Sequence, residues 1–258
     1  MKVAIIGCGV MGSAFARQLA LKGHEMILCD RNSSKTEELA REINGEYIEA
    51  PSEAASQAEI LLLAIKPKDL GGLAAEIGNV KGKLLFSILT GVSLKDLTNT
   101  FPGATIVRAM PNLAITCKEG IIALVSDRAL SEEMTAQVDS LLEGMGLVFW
   151  TIEEKIDAIT ALAGSGPAFV LVVIEAMVEA GIVMGLNAEE AMKLAGQTML
   201  GSVGLLFAQE GHPGALKWQI SSPGGTTIAG LKALEESGVR IGMMQAILAA
   251  HHKSQEMF

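Results

Sequence analysis

The stretch Lys2, Val3, Ala4, Ile5, Ile6, Gly7, Cys8, Gly9, Val10, Met11, Gly12 decides the fold. Five residues free of turn formers read as a buried strand, and the glycines after them fall at the G-x-G-x-x-G spacing. Phe15 and Leu19 then recur at helical spacing. Gly7 lets the backbone turn out of the strand. Gly9 admits a pyrophosphate without a Cβ in the way, and Gly12 lets the helix pack close to the strand. Phosphates would lie on free N–H groups at the helix N-terminus, where the dipole favours negative charge. Gly7, Gly9, Val10, Met11 and Gly12 are therefore candidate cofactor-binding residues. A second apolar run, 26–29, ends on Asp30, where a carboxylate reaches a ribose hydroxyl.

Working outward, the pattern alternates. Ser34 with Glu37 predicts a capped helix to Ile43. A short strand follows at 46–48, and Pro51 opens a helical turn to Gln57. Apolar runs at 60–65 and 84–88 read as strands covered on both faces. Ser93 and Asp96 open a short helix. Strands are expected at 105–107, 120–125 and 147–150, the last two around an amphipathic helix at 131–145. This alternation predicts an α/β fold, an N-terminal Rossmann-type doubly wound parallel sheet. Strands then stop. Helices are expected at 153–162, 167–184, 188–208, 213–219, 226–236 and 239–253, Asn187 with Glu190 capping the third and Gly238 stopping the fifth. The expected domains are 1–152, dinucleotide-binding, and 153–258, all-helical. Several helices are apolar on more than one face, which calls for cover from a second copy of the chain.

Bulk properties narrow the classes. Among 258 residues the net charge is −9, half are hydrophobic and 4% aromatic. With no basic stripe to neutralise phosphates, a nucleic-acid partner is not expected. Cys8, Cys29 and Cys117 are scattered, as suits reduced thiols in a cytosol, so a cytoplasmic location is expected. The first apolar run leads into the glycine turn rather than a cleavage site, so no signal peptide is expected. The apolar run 168–185 carries Glu175 and Glu179 on one face, too costly in hydrocarbon, and reads as a buried bundle helix rather than a membrane span.

Ligands of open α/β sheets bind at the C-terminal ends of strands. Five irregular polar stretches fall there: the glycine turn, 31–35, Lys66–Pro67, Thr90–Gly91 and 110–112. Asp30 alone would favour NAD. Arg31, Asn32, Ser33 and Lys35 supply two cations and several donors that can clamp a 2′-phosphate. The expectation is therefore NADP, as NADPH, with NAD possible and with Asp30 turning aside to pair with Arg31. The helical half holds Ser221, Ser222, Pro223, Gly224, Gly225, Thr226, Thr227, Ile228, a glycine turn opening a helix. The first free amides would be those of Gly225, Thr226 and Thr227, beside hydroxyls of Ser222, Thr226 and Thr227. This is an anion site suited to a carboxylate. No metal site is expected, since His251 and His252 are adjacent rather than at i, i+4.

The whole chain resembles the pyrroline-5-carboxylate reductase family. The match runs through the 5–12 turn, Ala64–Ile65–Lys66–Pro67, Arg108–Ala109–Met110–Pro111–Asn112, Thr160 to Ala168, His212 to Lys217, and Ser222–Pro223–Gly224–Gly225–Thr226–Thr227. The last block is close to diagnostic; the first is shared by many dehydrogenases. The resemblance implies reduction of 1-pyrroline-5-carboxylate to L-proline, the last step of proline biosynthesis. It also implies a helical domain interleaving into a homodimer, and dimers assembling into a decamer. Carried over, the loop of Ser222, Gly224, Gly225, Thr226 and Thr227 holds the substrate carboxylate, and Thr227 bonds the ring nitrogen. Ala64, Lys66, Pro67, Thr90, Met110 and Asn112 line the cofactor and nicotinamide pocket, Asn112 also near substrate, and Glu210 supplies an acid near the substrate. Leu113–Ala114, Phe169 and Trp218 depart from the family pattern.

The chemistry fits these residue types. A cyclic imine bearing a carboxylate needs one hydride on the imine carbon and a proton on nitrogen. An imine this basic carries its own proton near neutral pH, so orientation and carboxylate binding are the protein's tasks. Two other readings have weight. A hydroxyacid dehydrogenase with a helical second domain would need a catalytic lysine, for which Lys193 is the candidate. A nucleotide-sensing module would need a regulatory segment.

Overall fold

The computed structural model describes residues 1–209 and 211–257. Among them, eight strands form one sheet: β1 (Lys2–Ile6), β2 (Glu25–Cys29), β3 (Glu46–Tyr47), β4 (Ile60–Leu63), β5 (Leu84–Ser87), β6 (Thr105–Pro111), β7 (Gly120–Ser126) and β8 (Gly146–Trp150). Their order is β3-β2-β1-β4-β5-β6-β7-β8. The helices beside them are α1 (Val10–Leu21), α2 (Ser33–Glu42), α3 (Pro51–Gln57), α4 (Leu70–Ile77), α5 (Leu94–Thr100) and α6 (Glu132–Leu142). Strand side chains alternate between two cores. Ala4, Ile6, Leu61 and Leu63 enter one; Val3, Ile5, Ile60 and Leu62 enter the other. A sheet buried on both faces needs apolar residues at every position, which is why β1 and β4 read as unbroken hydrophobic runs.

Pairing is parallel from β3 through β6 and again between β7 and β8. The β6–β7 pair is antiparallel, with Ala109 opposite Leu124 and Pro111 opposite Ile122. The sheet is thus mostly parallel, as the alternation of strands and helices predicts, with one antiparallel pair that the alternation does not reveal. The connection 112–119 holds only a 3₁₀ turn, Leu113–Cys117, and a parallel crossover needs a dozen residues or more. β6 also runs past residue 107 to Pro111, because β7 supplies ladder partners that the local sequence does not reveal. α4 is a further addition. Gly71 and Gly72 weaken its helical signal, and burial of Leu70, Leu73 and Ile77 overrides them. The α2 cap is Asn32 rather than Ser34: its side chain accepts the Lys35 N–H at 3.3 Å.

The chain divides into two compact units, residues 1–164 with 251–258, and Ser165–Ala250. The first continues past β8 through a 3₁₀ turn (Glu153–Lys155), α7 (Ile156–Ile159) and a π turn (Thr160–Gly164). Its C-terminal piece is tied down by Ser254 Oγ, which donates to Asp157 Oδ1 at 2.6 Å. The second unit holds α8 (Gly166–Val183), α9 (Ala188–Ala208), α10 (Pro213–Ile220), α11 (Thr226–Glu236) and most of α12 (Val239–Gln255). Asn187 and Glu190 form a reciprocal capping box on α9, and Gly238, at φ +72°, separates α11 from α12. Its buried hydrophobic cluster consists of Val178, Ala191 and Ala195 among the described residues.

Candidate active site

Strand order reverses direction between β1 and β4, and the crevice outside that switch point is where such sheets bind ligands. The turn after β1 is built as the spacing predicts. Gly7 has φ +102°, and a Cβ on Gly12 would lie 1.9 Å from the Gly7 carbonyl oxygen. A Cβ on Gly9 would meet nothing within 4 Å: the space in front of it is open. Gly9 precedes α1, whose first turn carries no acidic residue. An open approach, the amides that open α1 and a first turn free of acidic residues fit a pyrophosphate. Ser13 Oγ donates to the Cys8 carbonyl at 2.8 Å and holds the turn.

Asp30 does not pair with Arg31. Its Oδ2 accepts the Cys8 N–H at 2.6 Å and its Oδ1 the Asn32 N–H at 2.9 Å, so the carboxylate pins the glycine turn to the β2 loop. Arg31 instead reaches Asp69, Nη2 to Oδ1, at 3.2 Å. The β2–α2 loop borders two clefts. One, of about 690 Å³, is lined by Gly7, Gly9, Arg31, Ala64, Lys66 and Asp69 among others. The other, about 610 Å³, is lined by Gly9, Val10, Asn32 and Lys35 among others. Arg31 and Lys35, read together as a phosphate clamp, thus open to different clefts. Burial raises the Cys8 thiol to about 12, with Asp30 adding to it, and the Cys29 thiol to about 11 for the same two reasons. Both stay neutral packing groups.

Asn112 is buried, and its side chain is engaged within the protein. Its Nδ2 donates to the Ala163 carbonyl at 2.9 Å and its Oδ1 accepts the Ile121 N–H at 3.2 Å. It braces the end of β6 against β7 and the π turn. Met110 also meets that turn, since a Cβ on Gly164 would lie 2.9 Å from its Cε. Lys66 and Pro67 are exposed at the end of β4, and Thr90 and Gly91 follow β5, half-buried. Two groups escaped the sequence reading. Asp69 is found only through its partner. Glu153 Oε1 accepts both Arg108 Nη1 at 2.7 Å and the Leu94 N–H at 2.6 Å, joining β6, α5 and the start of the helical segment.

In the second unit, the Gly225 N–H donates to the Ser222 carbonyl at 3.1 Å, closing a turn in which Gly224 has φ +70°. Pro223 and Gly224 are the residues such a turn favours. The Gly225 amide is therefore already used, and the amides that open α11 belong to Thr226 and Thr227. Thr227 is half-buried; Ser222 and Thr226 are exposed. Glu210 lies outside the described residues. Lys193 is paired with Glu189 at 2.6 Å on the exposed face of α9, and it lines neither cleft beside the glycine turn. His212 caps α10, its Nδ1 accepting the Gly214 N–H.

A doubly wound sheet with an open glycine turn at its switch point defines a dinucleotide-dependent oxidoreductase fold. The comparisons with known proteins narrow it. Residues 153–257 match the family model for pyrroline-5-carboxylate reductase dimerisation, and 2–91 match that for NADP oxidoreductase, coenzyme F420-dependent. A pyrroline-5-carboxylate reductase of Synechocystis is 37% identical over 262 residues, covering 100% of this chain and 98% of that one. The crystal structure of the Streptococcus pyogenes 1-pyrroline-5-carboxylate reductase matches with a TM-score of 0.92 at 31% identity, over 99% of this chain and 98% of that one. That of Plasmodium falciparum pyrroline carboxylate reductase with NADP bound matches with a TM-score of 0.91 at 29% identity, over 100% and 98%. The chain belongs to the pyrroline-5-carboxylate reductase family.

Proposed function

We propose that this protein reduces 1-pyrroline-5-carboxylate to L-proline with NADPH, the last step of proline biosynthesis. The observation that carries the reading is that one chain holds an open dinucleotide turn at Gly7–Gly12 and a hydroxyl-rich turn at Ser222–Thr227, and matches reductases of this name from end to end. Residues 1–152 are the dinucleotide-binding domain. Residues 153–258, where strands have ended, are the substrate-binding and dimerisation domain.

The amides after Gly9, with Val10, Met11 and Gly12, would hold the pyrophosphate, and Arg31, Asn32 and Lys35 the adenosine end. Ala64, Lys66, Pro67, Thr90 and Met110 would line the rest, with Asp30 and Asn112 fixing the loops around them. When bound, the coenzyme supplies a hydride. Ser222, Gly224, Gly225 and Thr226 shape the carboxylate site. The amides of Thr226 and Thr227 hold the carboxylate, and the Thr227 hydroxyl orients the ring nitrogen as it becomes an amine. Glu210 would keep a negative charge near the protonated imine. NADPH absorbance should fall when the imine is added, with proline as product. Turnover of a 2-hydroxyacid with NADP and none of the imine would overturn the assignment.

The assembly we propose is a homodimer through 153–258, with dimers joining into a decamer, in the cytoplasm and without nucleic-acid or membrane partners. The helical stretch Glu153–Val183 is long and apolar enough to cross a membrane by length and composition, and 11% of its most apolar window is buried in the single chain. Exposed Glu175 and Glu179 on it, and the match to a dimerisation model, support a partner subunit as its cover.

A further inference from the structure

We infer that Asp69 sets the strength of coenzyme discrimination by competing with the 2′-phosphate for Arg31, an inference that rests on the NADPH reading above. Asp30, the acid at the end of β2, is committed through both oxygens to the Cys8 and Asn32 amides. It does not pair with Arg31. Asp69 takes that place. It lies on the 3₁₀ turn Pro67–Asp69 after β4, fixed by its N–H, which donates to the Lys66 carbonyl at 2.9 Å. Its side chain is 25% exposed and that of Arg31 81%. The acid is therefore the anchored partner and the guanidinium the free one. Both line the same cleft, with Lys66 and Lys68 as further cations and Asp30, Glu49 and Glu76 as further acids. Arg31 is the cation there that leaves the β2 loop, where a 2′-phosphate is read.

A 2′-phosphate must draw Arg31 from Asp69 and then lie near that carboxylate. A 2′-hydroxyl needs neither. Asp69 therefore penalises NADPH and leaves NADH untouched. Neutralising it frees Arg31 for a bidentate, charge-assisted contact with phosphate.

The test is equilibrium binding of NADPH and NADH by coenzyme fluorescence, without substrate, on the full chain and on Asp69→Asn, Asp69→Glu, Arg31→Ala and the Arg31→Ala/Asp69→Asn double variant. Asp69→Asn should tighten NADPH about three- to tenfold at low salt, less at high salt, and move NADH less than twofold. Asp69→Glu should keep the original ratio. In the Arg31→Ala background the Asp69→Asn gain should shrink to the lost repulsion alone. An unchanged NADPH affinity in Asp69→Asn overturns the inference, as does an equal shift for both coenzymes or the full gain without Arg31. If the unaltered protein binds neither coenzyme, the NADPH reading itself falls, and the inference with it.

Discussion

Thr227 is the residue on which the proposed chemistry turns. Thr227→Ala removes the hydroxyl and leaves the α11 amides. The loss of one uncharged hydrogen bond beside the reacting centre should cost about 1–3 kcal/mol, roughly ten- to a hundredfold in kcat/KM. Coenzyme affinity should not move, and Thr227→Ser should recover most of the rate. Gly225→Val should be worse for a reason that the structure adds: a Cβ there would lie 2.5 Å from Ser222 Oγ and 3.2 Å from the Ser222 carbonyl oxygen, so the Ser222 hydroxyl must leave its place in the turn. The thiols give a second prediction. Cys8 and Cys29 rise from an ordinary value near 9 to about 12 and about 11. Below pH 9 they are neutral, folded or unfolded. Above it the unfolded chain ionises first, so stability falls as pH rises from 9 toward 12. Urea midpoints measured from pH 8 to 11 should decline, and decline less steeply in Cys8→Ala. A disulfide-exchange reagent at pH 8 should label Cys117, which is exposed, well before the other two.

At the scale of elements, β1, β2, α1 and the helices of the second half were legible because each rests on local periodicity and caps. The β6–β7 reversal was legible in principle. The stretch 112–119 is too short for a parallel crossover, a constraint that outweighs the strand–helix alternation around it. The pairs that hold the site together were not legible. Arg31 with Asp69, and Glu153 with Arg108 and the Leu94 amide, join residues far apart in sequence. The resemblance carries Asn112 over as a ligand contact; that it also braces the end of β6, through the Ile121 N–H and the Ala163 carbonyl, rests on partners the local sequence does not reveal. Glu153 has a checkable role in this frame. Arg108 is 2% exposed, while the Glu153 side chain is 32% exposed. Glu153→Ala should destabilise by about 2–3 kcal/mol, under the usual cost of breaking a buried pair because water reaches the carboxylate. Glu153→Gln, which keeps an acceptor for Leu94, should lose less. Thermal or urea unfolding decides it.

For the whole molecule, the second unit poses a stability problem that a single chain does not solve. Val178, Ala191 and Ala195 are too small a core for five helices, while Leu171, Val183, Leu200 and Phe207 stand more than 60% exposed. Apolar surface of this extent marks an interaction face. Burying it must come from outside, and an obligate dimer interface above roughly 2,000 Å² is the expected form. Sedimentation at micromolar concentration should give a dimer or a multiple of one, with no folded monomer on dilution into the nanomolar range. Leu200→Glu on α9 places a charge on that face. It should shift the protein to a monomer whose helical unit unfolds at lower urea than the sheet unit. A well-folded monomer of the unaltered chain would refute the proposal, as would partition into membranes. If Leu200→Glu sediments as the unaltered protein does, the interface lies elsewhere on the helical unit, and the dimer survives while its α9 seam does not. The proposed substrate turn, Ser222–Thr227, belongs to that second unit, which gives a kinetic test. Where the dimer dissociates, imine reduction should fall with it, while NADPH binding by the sheet unit, which has its own two cores, should persist.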